Sequence, residues 1–174
     1  MNPMQQIRIE KLTLNIGTGG PGEPMEKAIK LLKNLTGMKP IETTTKKRIA
    51  GWKLRPGLSI GCKITLRGKK AEEFFLRLLD AKNKTLSINN FDKNGNFSFG
   101  IPEYLDIPGA EYDIKIGIIG LETAVTLSRP GFRISKRRIH KNKIPNKIRI
   151  TKEEAINFMT QKYSIKVIEE DDNK

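Results

Sequence analysis

Two segments of the chain alternate between apolar and polar residues, and this pattern restricts the fold more than any other feature. The apolar side chains that share a face are Leu12, Leu14 and Ile16 in residues 11–16, and Ile60, Cys62, Ile64 and Leu66 in residues 59–67. A period of two places such side chains on one face of a β-strand and their polar neighbours on the other. Sheets of these strands bury one face and leave the other open, unlike the continuously apolar strands of a doubly wound parallel sheet.

Helical periodicity supplies the layer that covers the buried face. A first helix is predicted from the apolar residues Met25, Ala28, Ile29, Leu32 and Leu35, with Pro24 in its first turn and Gly37 at its end. A second is predicted over residues 69–82 from the stripe Ala71, Phe74, Phe75, Leu78 and Leu79. A third begins at Thr151, whose spacing to Glu154 is that of a capping box.

Three further segments complete the prediction. Residues 41–45 and 114–127 are predicted strands, the latter as one long or bent strand or as two, and Asn94-Gly95 is a predicted hairpin turn. A bulge or break is expected near Glu10. We predict an α+β fold with a largely antiparallel sheet, helices on one face and the other face open. Residues 1–168 are expected to form one domain, including a basic arm at 129–150, followed by an acidic tail at 169–174.

Positive charge is abundant and concentrated in two blocks. The chain has 33 Lys and Arg against 19 Asp and Glu, a net charge of +14. Residues 39–70 hold ten basic side chains and the single acid Glu42, and residues 129–150 hold nine basic side chains and no acid. Phosphates would relieve this self-repulsion, so the blocks predict one or two surfaces that bind a polyanion rather than a uniformly solvated surface.

Composition excludes several other classes of protein. The single cysteine, Cys62, cannot form an internal disulfide, and with His140 as the one histidine there are too few soft ligands for a structural zinc site. Cys62 is predicted to fill the core. The sequence contains no apolar run of the length that a membrane span requires and does not begin like a signal peptide, so we expect a cytoplasmic protein without a membrane partner.

A glycine-rich segment raises the one enzymatic alternative. Residues 17–22 match the G-x-G-x-x-G pattern of dinucleotide sites, and Glu42 follows where a ribose-binding acid would lie. The preceding strand alternates, however, and Pro21 lacks an amide donor, which favours a flexible strand-to-helix turn. The acidic residues have no neighbouring His or nucleophile in the sequence pattern. We therefore expect no enzyme and no cofactor, with a nucleotide-dependent enzyme as the rival hypothesis.

The only tryptophan lies in a cationic, glycine-flanked loop. Trp52 is surrounded in residues 46–57 by Lys47, Arg48, Lys53 and Arg55. An aromatic ring among cations is typical of a side chain that stacks on an unpaired base. The alternative is a ring folded back as a lid on the core.

The open sheet face and the basic arm extend this hypothesis to RNA. Lys63, Thr65 and Arg67 share one face with Asn15 and suit phosphates and 2′-hydroxyls, although plain solvent-exposed sheet has the same pattern. The arm has no clear period and is expected to order mainly on binding. Its predicted phosphate-contacting residues are Arg133, Lys136, Arg137, Arg138, Lys141 and Lys143. His140 lies among them and is predicted to contact a phosphate or a base, or to be solvated.

Several motifs resemble those of a known family. They are Leu14-Asn15-Ile16-Gly17, Thr36-Gly37-Met38-Lys39-Pro40, the loop from Lys47 to Gly57, Ile60-Gly61-Cys62-Lys63-Ile64-Thr65-Leu66-Arg67-Gly68 and Phe97-Ser98-Phe99-Gly100-Ile101. In this order they resemble the ribosomal large-subunit protein five family, which binds 5S ribosomal RNA. Arg129-Pro130-Gly131-Phe132 and Ile150-Thr151-Lys152-Glu153-Glu154-Ala155 resemble its archaeal and eukaryotic branch.

The resemblance implies a structural constituent of the large ribosomal subunit that binds 5S rRNA and helps form the central protuberance. By motif match, the RNA-contact positions fall on Asn15, Met38, Trp52 and Thr65, where Met38 replaces a frequent Gln and Trp52 a more usual Phe. The loop of residues 47–57 would approach P-site tRNA. The resemblance also implies contacts with large-subunit rRNA, a neighbouring 5S-binding ribosomal protein and a small-subunit head protein. An RNA chaperone or regulator acting outside the ribosome is the rival.

Overall fold

The structure, a computed structural model, describes residues 2–168, so the predicted acidic tail at 169–174 lies outside the described residues. The helices in this part of the chain are α1 (Glu23–Thr36), α2 (Lys69–Ala81) and α3 (Lys152–Tyr163). The strands are β1 (Arg8–Gly17), β2 (Ile41–Thr44), β3 (Ser59–Leu66), β4 (Thr85–Ser87), β5 (Phe97–Ile101), β6 (Leu121–Ser128) and β7 (Lys166–Ile168). All three predicted helices are therefore present, within one residue of the predicted ends where these were given.

Five of the strands form one antiparallel sheet in the order β2-β3-β1-β6-β5. Its outer pair is aligned so that Ile41 lies opposite Lys63 and Thr43 opposite Gly61. The short strands β4 and β7, which the sequence did not predict, form a separate parallel pair. The α+β class and the antiparallel sheet are confirmed.

Contacts within the chain group its residues into two compact units. The first, here the α1 unit, consists of Thr13–Leu66 and Gly100–Thr123. The second, here the α2–α3 unit, consists, within the described residues, of 2–12, Arg67–Phe99 and 124–168. That residues 1–168 form a single domain stays a prediction.

In the α1 unit, the helix packs on the sheet through one apolar face. Helix α1 buries Met25, Ala28, Leu31 and Leu32 and contacts β3. Leu31 was missing from the predicted stripe, which contained the half-buried Ile29 and Leu35 instead. Gly37 ends the helix as predicted, since its left-handed backbone (φ +67°) lets its N–H bond the Lys33 carbonyl at 2.8 Å.

In the α2–α3 unit, an aromatic cluster joins the helices to the sheet. The five buried residues of α2 are those of the predicted stripe. The Phe75 ring lies 5.9 Å from that of Phe97 in β5 and 5.2 Å from that of Tyr163 in α3, both edge-to-face. Helix α3 begins with the predicted capping box, in which Thr151 Oγ1 accepts from the Glu154 N–H and Glu154 Oε2 accepts from the Thr151 N–H.

The predicted hairpin turn and the predicted irregularity near Glu10 have different outcomes. The Asn94-Gly95 turn is present, with Phe91 bridged to Phe97 and Gly95 at φ +74°. Strand β1 is unbroken, but two half-buried residues, Glu10 and Lys11, lie between the buried Ile9 and Leu12. The buried side chains therefore move from odd to even positions along the strand. The expected bulge or break is thus present only as this shift.

The strand predicted for residues 114–118 is wrong, and β6 begins at Leu121. Ile114 is 85% exposed and Ile118 63% exposed, while Ile116 is buried. The Asp113 carboxylate accepts from the Lys115 N–H at 2.9 Å, and the Asp113 carbonyl accepts from the Ile116 N–H at 2.9 Å. This aspartate-initiated turn takes the backbone donors that a strand would need.

Candidate nucleic-acid interface

The loop of residues 46–57 is a closed hairpin. Ile49 and Leu54 exchange backbone hydrogen bonds of 3.1 and 3.0 Å, and Leu54 is buried beneath them. At the base of the loop, Thr45 donates its N–H to the Leu58 carbonyl and accepts from the Gly57 N–H, both at 2.9 Å. These bonds fix the backbone, so the loop presents its side chains from a defined frame.

Trp52 lies at the tip of this hairpin, in a 3-10 turn formed by Ala50–Trp52. Its side chain is 73% exposed, which contradicts the lid alternative. Lys53 adopts a left-handed backbone (φ +53°) that closes the turn through its N–H bond to the Ala50 carbonyl at 3.0 Å. A large aromatic ring held outward is an available stacking surface.

The cations of the hairpin are open to solvent. Lys47, Arg48, Lys53 and Arg55 are all exposed, and within residues 2–168 none of them forms an ion pair. Glu42, the single acid of this block, instead accepts a hydrogen bond from Ser59 Oγ at 2.6 Å. The hairpin therefore carries unneutralised positive charge around an exposed ring.

The open sheet face of the α1 unit includes several of the residues predicted to contact RNA. Lys63 and Thr65 are exposed on β3, Asn15 is half-buried on β1, and Met38 follows α1 with 38% exposure. The Asn15 amide nitrogen donates to Glu122 Oε2 at 3.1 Å, so its carbonyl oxygen is the atom left to accept from a ligand. The alternation around Leu121 and Thr123 places Glu122 on the polar face of β6, but no pattern in the sequence indicated that β6 lies beside β1 and so brings Glu122 to Asn15.

The glycine-rich turn is built as a strand-to-helix connection. The N–H groups of Thr18 and Gly19 both donate to the Ile60 carbonyl, at 2.9 and 3.1 Å. Thr18 Oγ1 donates to the Gly20 carbonyl at 2.9 Å. Because these amides are already bonded to β3, they cannot cradle a pyrophosphate as a dinucleotide-binding turn does.

In the α2–α3 unit, the basic arm of residues 129–150 contains two 3-10 turns, Phe132–Ser135 and Asn146–Ile148. Its six predicted phosphate-contacting residues are all exposed. Arg137 Nε donates to the His140 carbonyl at 2.7 Å, which leaves the terminal nitrogens of Arg137 to face a phosphate. Whether the arm orders only on binding stays a prediction.

Arg129 differs from the other cations of the arm because it is structural. Its side chain is 10% exposed, and it donates to the Ile148 carbonyl at 3.0 Å and to Glu154 Oε1 at 2.8 Å. Burial disfavours the charge of Glu154, but the Thr151 N–H and the Arg129 guanidinium outweigh it and lower the pKa of Glu154. Arg129 thereby ties the end of the arm to the start of α3.

Glu10 brings together two cations that the sequence assigned to separate sites. Its carboxylate accepts from Lys136 Nζ of the arm at 2.5 Å through Oε1, and Arg67 NH1 lies 3.8 Å from the same oxygen. The Glu10 side chain is 20% exposed, whereas those of Arg67 and Lys136 are 63% and 53% exposed. The carboxylate fixes both side chains while leaving much of each cation open to solvent.

The described residues offer this interface neither a reactive thiol nor a metal site. Cys62 is buried, and burial, with a smaller contribution from Glu42, raises the pKa of its thiol to about 11. No group of three or more His, Cys, Asp or Glu residues among the described residues could hold a metal ion. The helices within residues 2–168 are too short or too polar to span a bilayer.

Family comparisons identify the class of protein. A family model described as ribosomal protein L5 matches residues 2–55, and one described as the C-terminus of the same ribosomal family matches residues 59–158. Together they cover most of the chain. It is therefore a ribosomal protein, which confirms the predictions that it is not an enzyme and that it resides in the cytoplasm, on the ribosome.

Individual relatives agree over nearly their full lengths. The chain is 48% identical to the large ribosomal subunit protein uL5 of Sulfurisphaera tokodaii over 170 residues, covering 97% of this chain and 96% of the relative. It is 48% identical to that of Nanoarchaeum equitans (96% and 99% covered) and 41% identical to that of Methanobrevibacter smithii (98% and 100% covered). The chain belongs to the ribosomal protein L5 family. These relatives are archaeal, in agreement with the predicted branch.

Proposed function

We propose that the chain is a structural constituent of the large ribosomal subunit that binds 5S rRNA and helps form the central protuberance. Membership in the L5 family supports this assignment, as do the relatives named for the large subunit. The observation that carries the RNA-binding part is the exposed Trp52 ring among four cations that form no ion pair within residues 2–168. That combination fits a polyanion with unpaired bases.

The proposed RNA contacts divide by chemistry. Lys63 and Arg67 would contact phosphates, Asn15 and Thr65 would exchange hydrogen bonds with ribose or base edges, and Trp52 would stack. Met38 offers an apolar contact in place of the polar one common in the family. The exposed arm residues would neutralise phosphates between RNA helices. The proposed arm contacts are Arg133, Lys136, Arg137, Arg138, Lys141 and Lys143.

The remaining proposed partners follow from the family resemblance. The hairpin cations Lys47, Arg48, Lys53 and Arg55 would face P-site tRNA, which their exposure permits. Large-subunit rRNA, a neighbouring 5S-binding ribosomal protein and a protein of the small-subunit head complete the proposed partners.

A salt-titrated binding assay tests the proposal. The full chain is titrated against 5S rRNA and against an unrelated stem-loop of equal length. Phosphate contacts make the affinity for both RNAs fall steeply with salt, while a 5S-binding protein prefers 5S rRNA throughout the titration. Equal affinity for the two RNAs would favour a chaperone or regulator outside the ribosome.

Trp52→Ala tests stacking within the same assay. We expect 5S affinity to fall by about 1–3 kcal/mol, because one base loses its stacking partner. Trp52→Phe is the matched control, since it retains an aromatic ring and should recover most of the loss. Unchanged affinity for the alanine variant would show that the ring does not contact RNA.

Arg137→Ala tests the role of the arm. If this side chain contacts a phosphate, binding to every RNA should weaken alike and the salt slope should flatten by about one unit. Loss of affinity for one RNA alone would contradict a phosphate contact and indicate base recognition.

A further inference from the structure

A cavity in the α2–α3 unit lies between the basic arm, strand β6 and the Asn94-Gly95 turn. Its volume is about 800 Å³, within the range of pockets that hold small organic ligands. Leu127 of β6 and Ile150 at the end of the arm are its buried walls, and Phe132 and Ile144 add half-buried apolar surface. The cavity is thus apolar where it is most enclosed.

Side-chain amides also line this cavity. Asn96 follows the hairpin turn and Asn142 lies in the arm, and within the described residues neither carboxamide forms a hydrogen bond. Each amide offers two donors and an acceptor, which is the complement that base edges require. Gly95 of the turn packs closely against Ile150, since an added Cβ at Gly95 would lie 2.5 Å from Ile150 Cγ2.

Cations surround the same cavity. Lys136, Lys141, Lys143 and Arg149 line it and are all exposed. A smaller cleft of about 180 Å³ shares Glu10, Phe132 and Lys136 with it and adds Arg8, Arg129 and Arg133. Arg129 is already bonded to Ile148 and Glu154, so the cations of this cleft that are open to a ligand are Arg8, Arg133 and Lys136, which are all exposed. The two adjoining spaces therefore combine apolar walls, available amides and a dense positive charge.

We propose that this cavity receives an unpaired nucleotide of the bound RNA, with its base between the apolar walls and a neighbouring phosphate on the cations of the adjoining cleft. The inference rests on the proposed RNA-binding function and specifies which RNA feature the arm recognises. The carboxylate of Glu10 lies at the boundary of the two spaces. Its pairing with Lys136 and Arg67 leaves lone-pair capacity to accept from a ribose hydroxyl.

An unpaired nucleotide suits this site better than a paired one. Placing a base in a pocket requires its removal from the stack, and the cost is least for a base that has no pairing partner. The arm would then discriminate between RNAs by the presence of a bulge, beyond the phosphate neutralisation already proposed for it.

The test compares RNA hairpins that differ only by a one-nucleotide bulge and whose strands are joined by a non-nucleotide ethylene glycol linker, so that the parent contains no unpaired nucleotide. Four bulged hairpins, one for each base, and their unbulged parent are titrated against the full chain at fixed salt. We expect at least one bulged hairpin to bind about tenfold more tightly than the parent, as one buried base contact would provide. Replacing that bulged base by an abasic residue should abolish the preference.

Variants that fill the cavity test whether the preference for bulged RNA arises there. Thr126→Phe on β6 fills the cavity, and Thr126→Val is the matched control that removes the hydroxyl without filling it. Asn142→Phe fills it from the exposed arm and serves if the strand variant does not fold. The fillers should lose the bulge preference and keep the affinity for the parent hairpin, whereas Thr126→Val should keep both.

The outcomes separate this inference from the proposed function. If the wild-type chain prefers 5S rRNA over the unrelated stem-loop but binds bulged and unbulged hairpins equally, the cavity assignment is overturned and the proposed function stands. If folded fillers retain the preference, the bulge is recognised elsewhere and the assignment is again wrong. Absence of 5S preference in the wild type overturns both.

Discussion

Gly61 of β3 is the position where the structure makes the sharpest stability prediction. A Cβ added there would lie 2.6 Å from the Ile16 carbonyl oxygen, 3.1 Å from Thr43 Oγ1 and 3.3 Å from Gly17 Cα. Two of these atoms are backbone atoms of β1, the neighbouring strand in the sheet. Gly61→Ala therefore forces a backbone shift, which a side-chain rotation cannot relieve.

The magnitude follows from that geometry. Ordinary contacts begin at 3.4 Å, so the Ile16 carbonyl must move by about 0.8 Å relative to β3. Overpacking of this kind costs about 1–3 kcal/mol. A Gly→Ala change also lowers the conformational entropy of the unfolded chain, which stabilises the folded state by about 0.4–1 kcal/mol. We expect a net loss of about 1–2 kcal/mol in the free energy of unfolding.

Urea denaturation followed by circular dichroism measures this loss. With a denaturant slope of about 1–3 kcal/mol per molar, the midpoint should fall by roughly 1 M. Gly100→Ala is the matched control, because Gly100 also lies in a strand, β5, but its added Cβ would meet no atom of the described residues within 4 Å. Equal midpoints for the two variants would refute the steric argument.

The displacement has a functional consequence as well. Asn15 precedes Ile16 on β1, and Lys63 follows Gly61 by two residues on β3, so the shift changes the spacing of two proposed RNA contacts. If both contact the same RNA, 5S affinity should fall in Gly61→Ala at urea-free conditions where the chain remains folded. Gly100→Ala should bind as the wild type does.

Further predictions concern the core thiol and the start of α3. Because the pKa of Cys62 is raised to about 11, the thiol of the folded protein should resist a disulfide reagent at pH 8, and its labelling should be limited by the rate of unfolding. Fast labelling of the folded protein would contradict the burial of Cys62. Thr151→Ala should cost about 1 kcal/mol in urea denaturation through loss of the capping box, and Thr151→Ser should restore it. The pKa of Glu154 is lower in the folded chain than in the unfolded chain. The Glu154 carboxylate therefore contributes fully to the free energy of unfolding above its unfolded pKa of about 4.3, and this contribution is lost as the pH falls through its folded pKa. The stability difference between wild type and Glu154→Gln should therefore shrink below about pH 4, and a difference independent of pH would be inconsistent with the ion pair to Arg129.

Local patterns carried the prediction of most elements. The stripe of α2, the left-handed stop at Gly37 and the Thr151 capping box each depend on residues within one or two helical turns, and each is present as predicted. The alternation in β3 likewise identified Lys63 and Thr65 as exposed. Such features are readable because backbone geometry alone sets their periods of 3.6 and two.

The alternating pattern wrongly predicted a strand at residues 114–118, because the turn that forms there instead leaves no periodic pattern in the sequence. Asp113 captures nearby backbone N–H groups, and Gly117 adopts a left-handed backbone (φ +74°), so the isoleucines alternate within a turn region. Apolar residues at every second position are compatible with a strand but do not require one.

Residue patterns along the chain were sufficient to predict most of the secondary elements, the fold class, the family and the positive charge of the two blocks. Which cations remain open to solvent and which form ion pairs depends instead on the folded arrangement of the chain. Lys136 meets Glu10 across 126 residues of sequence, and Arg129 turns inward to Ile148 and Glu154. The net charge of a segment follows from its composition. Ion pairing depends on which distant segments the packed core brings together, and a local sequence pattern contains no information about those long-range contacts.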